Sequence, residues 1–220
     1  MTPANLVRMA KLCGIDLLAL TDHNSTANCR AAMEVGKEVG VMVLSGMELC
    51  TQEEIHVICL LPDIESATAF GELVRTHIPP IQNRPEIFGN QNICDRKDCV
   101  LDAESLLLTN ATDIPLSDVV PLVQSYGGIC FPAHIDRASY SLISVLGTFP
   151  DTMGFQAAEC TMEANVPLWT AQQPILKQLH VLQNSDAHTL ERLASTTPQA
   201  LPLDSCSFAG LHTYLESPLP

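Results

Sequence analysis

The chain has 220 residues, 46% hydrophobic and 16% charged, which excludes a disordered chain and is enough for one α/β domain with a substantial core. Eleven basic against 25 acidic residues give a formal net charge of −14, which excludes a protein that grips nucleic acid through a broad basic face. No apolar run approaches the roughly 18 residues that a membrane span needs, and no apolar signal-peptide core follows Met1.

In chain order, Thr2-Pro3 opens a helix whose apolar positions Leu6, Met9, Ala10 and Cys13 recur at helical spacing, and Gly14 closes it. Residues 15–20 read as a buried parallel strand ending in Thr21-Asp22-His23-Asn24-Ser25. A helix over 26–39 stops at Gly40, and the strand 41–44 runs into Ser45-Gly46-Met47-Glu48. The apolar run 55–61 is a strand carrying His56, followed by a helix over 64–77. Residues 78–113 read as an insertion, with a polar hairpin or excursion over 90–101.

A helix over 116–126 ends at Gly127-Gly128 and leads to a strand, 129–131, that finishes in Pro132-Ala133-His134. Then come a helix over 139–146, a strand over 154–159, a helix over 168–179, a strand over 180–183 ending in Asn184-Ser185-Asp186-Ala187-His188, and a final helix over 208–215. Alternation of strand and helix predicts a mostly parallel sheet with crossover helices in one domain, 1–220. The nine cysteines have no paired spacing and sit largely in apolar stretches, so buried free thiols in a reducing cytoplasm are expected.

Four strands end in ionisable clusters, at Asp22-His23, Glu48, His134 and Asp186-x-His188, and a fifth carries His56 in an apolar run. Each cluster alone has an ordinary structural explanation as a cap, a turn or a core histidine. Together they would converge at the carboxyl mouth of a parallel fold, where active sites form. Imidazole with carboxylate suits Zn, Mn or Fe. Arg137, three residues after His134, is the preferred clamp for an anionic group, because a guanidinium binds two oxygens at once. Arg84 is the weaker candidate. No Gly-x-Ser-x-Gly elbow, P-loop or dinucleotide fingerprint is present.

The segments Thr21-Asp22-His23-Asn24-Ser25, Gly46-Met47-Glu48, Glu54-Ile55-His56, Pro132-Ala133-His134-Ile135-Asp136-Arg137 and Asn184-Ser185-Asp186-Ala187-His188 resemble the PHP (polymerase and histidinol phosphatase) family. The nearest branch is its small stand-alone bacterial phosphoesterases. That resemblance implies a distorted (β/α)7 barrel with two or three divalent metal ions (Zn, Mn or Fe) at its mouth. It also implies hydrolysis of a small phosphate monoester or a nucleotide-type phosphodiester by metal-activated water.

Carried across residue by residue, His23, Glu48, His56, His134, Asp186 and His188 are the implied metal ligands. Glu48 bridges two metals, His56 and His134 complete the second, His23 and His188 hold a third, and Asp186 joins the first. His23 or His188 would assist the leaving group, and Asp22 would orient or cap. The implied partners are a small phosphorylated substrate, a nucleotide or a short oligonucleotide, with neither duplex nucleic acid nor membrane. The family pattern opens with a His-x-His strand that has no counterpart before His23. The expectation is therefore an N-terminally incomplete barrel with its first strand missing and marginal stability. The alternatives are a degenerate, non-catalytic metal-binding domain and a metal-dependent hydrolase of C–N bonds.

Overall fold

A computed structural model describes residues 1–219. The chain runs α1 (Pro3–Leu12), β1 (Leu17–Leu20), α2 (Cys29–Val39), β2 (Met42–Cys50), β3 (His56–Leu61), α3 (Ile64–Thr76), α4 (Pro85–Phe88), β4 (Asn92–Cys94) and β5 (Val100–Ala103). It continues through α5 (Leu116–Ser125), β6 (Ile129–Pro132), α6 (Leu142–Leu146), β7 (Ala157–Thr161), α7 (Val166–Gln172), a 3-10 turn (Pro174–Gln178), β8 (His180–Asn184), α8 (Leu190–Ala194) and α9 (Phe208–Glu216).

The helix ends follow local chemistry. Pro3 sits in the first turn of α1, where its missing N–H costs nothing. Gly40 closes α2 at φ +72°, its N–H returned to the Gly36 carbonyl. Asp63 caps α3 by accepting the Ser66 N–H at 2.7 Å, and Ala67, Phe70 and Val74 form its buried stripe. The helix expected over 168–179 is split, because Pro174 can neither donate to the preceding turn nor fit beneath it.

The architecture is mixed α/β, but the sheet is less parallel than expected. β1 pairs with β2 in parallel and β7 with β8 in parallel, whereas β2–β3 and β3–β6 are antiparallel. The reason lies in the connection after Cys50. Residues 51–55 return the chain directly, with Thr51 N–H on the Ile55 carbonyl, and so short a link makes a hairpin rather than a crossover. The strands do not close into a barrel: the main sheet has the order β1-β2-β3-β6, and β7-β8 stands apart. Between β1 and β8 lies a cavity of about 900 Å³, with aliphatic walls from Leu18, Leu20, Leu60 and Leu182. Residues 78–113 contain α4 and the two-stranded antiparallel β4–β5 sheet, which Asn28 ties to the body through the Asn92 carbonyl and the Cys94 N–H.

The period of two along the strands separates two faces. On β3, Val57, Cys59 and Leu61 face a helix-covered core with Phe70 and Val123, while Ile58 and Leu60 face an inner core with Leu44, Phe131 and Leu182. On β2 a Cβ added at Gly46 would lie 2.7 Å from the Cys59 carbonyl oxygen and 2.8 Å from Leu60 Cδ2. That carbonyl belongs to the β3 backbone and cannot turn away. Gly46→Ala is therefore expected to cost about 1–3 kcal/mol, or roughly 2–12 °C in Tm for a domain this size. An unchanged thermal melt would contradict this packing.

All nine cysteines are free thiols: Cys99 and Cys206 are exposed, whereas Cys29, Cys50, Cys59, Cys94 and Cys160 are buried. Burial pushes the thiols of Cys29, Cys50, Cys130 and Cys160 up to about 12. A disulfide reagent is expected to label Cys99 and Cys206 at once in the native protein and these four only after unfolding. Immediate labelling of Cys29 or Cys160 would contradict the burial.

Candidate metal centre

The alternation that builds the inner core also aims the site. Glu48 shares the inner face of β2 with Leu44, and His56, the first residue of β3, shares the inner face with Ile58 and Leu60. His23 follows β1 and is bridged in parallel to Glu48, with Glu48 N–H on the Asp22 carbonyl and Asn24 N–H on the Glu48 carbonyl. His134 falls on the wrong parity, since Phe131 and Ala133 already point inward. Its backbone turns left-handed, at φ +30°, and this break in the alternation brings its imidazole back to the cluster.

Glu48 is the centre of the arrangement. Its Oε1 lies 2.9 Å from His56 Nδ1 and 3.1 Å from His134 Nε2, and its Oε2 lies 3.2 Å from His23 Nδ1. His56 Nδ1 and His134 Nε2 are themselves 3.2 Å apart. Hydrogen bonding alone cannot satisfy this triangle. If both imidazoles donate to Oε1, their two N–H groups face each other; if one does not, its lone pair faces an acceptor. The edges match the roughly 3.3 Å between ligands in a tetrahedral site with bonds of about 2.0–2.1 Å. The buried His23 Nδ1 and His134 Nδ1 also lack a well-aligned hydrogen-bond partner. The donor set therefore fits a divalent cation, with the two oxygens of one carboxylate turned to different imidazoles.

The electrostatics agree at Glu48 and His23. Burial raises the Glu48 carboxyl, but hydrogen bonds from His134 and His56 and the charge of His23 outweigh it and hold Glu48 well below the ordinary carboxylate range. Burial pushes His23 down, in the direction of the neutral imidazole that binds metal. Burial also disfavours charge on His134, yet its bond to Glu48 raises it overall.

The remaining candidates form a second group beside the first. Arg137 Nη1 lies 2.7 Å from Asp186 Oδ2, and His188 Nδ1 lies 3.5 Å from Asp186 Oδ1. The His188 ring is 5.8 Å from that of His23, which joins the two groups at the mouth. Glu48, His23, Asp186 and His188 all line the polar end of the cavity. Asp22 accepts from Asn28 at 3.3 Å, and burial raises its carboxyl against that bond. Arg84 instead lies over the Phe88 ring, 5.9 Å from its centroid, and makes no ion pair among the described residues.

Glu159 was not among the candidates and belongs to the same surface. It lies mid-strand on the inner face of β7, between Ala157 and Thr161, is buried, and accepts the Asn184 side-chain amide at 2.8 Å and, at a longer 3.4 Å, the His134 N–H. Burial raises its carboxyl to about 7 against the Asn184 hydrogen bond. The signal was positional: an acid within an apolar strand, as at Glu48.

No family model matches the chain. It is 40% identical over 73 residues to an uncharacterised protein of Methanocaldococcus jannaschii, covering 33% of this chain and 43% of that one. It is 36% identical over 63 residues to a 5′-3′ exoribonuclease of Haemophilus influenzae, covering 27% of this chain and 23% of that one. The chain thus spans less than half the length of the curated relatives it matches. Among solved structures it superposes on the lesion-specific endonuclease Q of Pyrococcus furiosus with a TM-score of 0.65 at 16% identity, covering 97% of this chain and 50% of that one.

A Bifidobacterium adolescentis protein assigned as a metal-dependent phosphoesterase gives a TM-score of 0.54 at 19% identity, covering 97% and 90%. An amidohydrolase of Chromobacterium violaceum, solved with sulfate and no metal, gives 0.61 at 18% identity, covering 97% and 92%. The fold is therefore one shared with hydrolases. Endonuclease Q has also been solved with a 27-mer duplex carrying an abasic lesion at its active site. That is a property of endonuclease Q, of which this chain covers 52%, and the expectation against duplex here rests on this chain's acidic charge. No described helix is long and apolar enough to cross a membrane.

Proposed function

We propose that the chain is a metal-dependent phosphoric ester hydrolase of the PHP type, its barrel open between β1 and β8, acting on a small phosphate monoester or a nucleotide-type phosphodiester. The observation that carries this reading is the Glu48 carboxylate held within 3.2 Å of three imidazoles. The fold shared with a phosphoesterase and an endonuclease supports it. His23, Glu48, His56, His134, Asp186 and His188 would hold two or three ions of Zn, Mn or Fe. Bound there, such ions supply positive charge against the phosphoryl oxygens and acidify water near neutral pH.

The chain's own groups do the rest. Arg137 exchanges one carboxylate, Asp186, for two phosphate oxygens, which its planar fork suits. His188, exposed at the mouth, or else His23 would return a proton to the leaving oxygen when it is not committed to metal.

The test is a screen of the purified chain, loaded with each metal in turn, against phosphate monoesters, nucleotide diesters and amides. Chelator-sensitive release of phosphate is expected. The amidohydrolase neighbour supports a second reading, cleavage of C–N bonds, which amide turnover alone would establish instead. Metal binding with no turnover of any substrate would leave a non-catalytic domain.

A further inference from the structure

The loop after β6 is built more rigidly than its exposure requires. The Asp136 carboxylate accepts the Thr161 N–H at 2.8 Å and the Thr161 hydroxyl at 2.5 Å. The Ser141 hydroxyl donates to the Arg137 carbonyl at 2.7 Å, and Arg137 N–H closes on the His134 carbonyl at 2.9 Å. Within this frame Tyr140 is held at φ +53°, a conformation costly for a bulky side chain. Such strain persists where the surroundings enforce it, and it clusters at functional sites.

What the strain achieves is visible. The Tyr140 carbonyl accepts the His56 N–H at 2.9 Å, and its ring lies over the His56 imidazole, 4.8 Å between centroids and 18° from parallel. Yet Tyr140 remains 44% exposed. One face of the phenol ring is spent on His56, which itself meets Glu48, and the other is left to the exposed side of the residue. Arg137, three residues earlier on the same clamped loop and paired with Asp186, is the phosphate clamp of the proposed function.

We propose that Tyr140 is the specificity residue of this site: its open ring face stacks the aromatic base of a substrate whose phosphate is taken by Arg137. The substrate class is then a nucleotide, whether free or at a chain end, rather than a sugar phosphate. This inference rests on the phosphoesterase reading and names its substrate.

Binding and turnover of AMP and of ribose 5-phosphate, which carries the same ester without the base, separate the possibilities. They are measured by calorimetry and by phosphate release on metal-loaded wild type, Tyr140→Ala and Tyr140→Phe. Wild type is expected to bind AMP roughly ten-fold more tightly than ribose 5-phosphate. Tyr140→Ala weakens AMP more than ribose 5-phosphate and so narrows the preference, while Tyr140→Phe keeps the preference and shows that the ring decides it. Equal affinities in wild type, binding of neither ligand, or equal weakening of both in Tyr140→Ala would overturn the proposal; the last would reduce Tyr140 to packing His56. Preferential binding of AMP without hydrolysis would uphold the stacking role while contradicting the hydrolase reading.

Discussion

Glu48→Gln is expected to strip the site of its metal and of hydrolysis together. Glutamine keeps the volume, so the strands should pack as before. It removes the negative charge and replaces one of two acceptor oxygens with an amide that donates. Both oxygens are committed, Oε1 to His56 and His134 and Oε2 to His23, so either orientation of the amide points a donor at an imidazole. Changes to groups that merely orient ligands already weaken metal binding about 10–100-fold, and loss of the central carboxylate should exceed that range. Phosphate release should fall to the uncatalysed level at every metal concentration tried.

The same substitution has a pH signature in metal-free protein. Glu48 is depressed below its ordinary 4.5, so its contribution to stability is present above that pH and fades as pH falls through the folded value. The acid limb of the stability curve should flatten in Glu48→Gln. Full turnover in this variant would remove the carboxylate from the account.

Glu159→Gln is expected to act in the opposite sense. Its carboxyl is raised by burial from 4.5 to about 7. The protonated form is therefore the one the fold prefers. Its stabilising contribution is complete below about pH 4.5 and is lost as pH rises through 7. A shift of this size corresponds to roughly 3 kcal/mol between the two ends of the window. Metal-free Glu159→Gln should melt with wild type near pH 4 and several degrees above it at pH 8, since the Asn184 amide can still donate to the new side-chain oxygen. A variant that tracks wild type across this range would show that Glu159 is not buried as a carboxylate.

The parts of this fold that were legible were those written in local chemistry. Strand ends announced themselves because a run such as Ile15–Leu20 or Ile129–Phe131 gives way within a few residues to Asp22-His23 or His134. Strand direction was not legible. β3 is apolar on both faces, so its pattern is identical whichever way it runs, and only the brevity of the Thr51–Ile55 link betrays a hairpin. Pro174 carried a readable break that the apolar period across it concealed.

Within the site, Glu48 and His56 could be placed by the period of two, whereas His134 could not. Its inward aim depends on a left-handed backbone that no residue type at that position signals. Tyr140 escaped for the same reason, its stacking on His56 being set by a loop conformation rather than by spacing. The open seam between β1 and β8, and the cavity within it, are properties of strand order that local pattern does not contain.

The most direct test of the central claim is the metal content of the purified chain by elemental analysis, after dialysis without chelator and beside Glu48→Gln prepared identically. At least one equivalent of Zn, Mn or Fe per chain in wild type, with Glu48→Gln at the buffer blank, is the predicted result. Equal metal in the two proteins, or none in either after loading, would contradict a metal centre organised by Glu48.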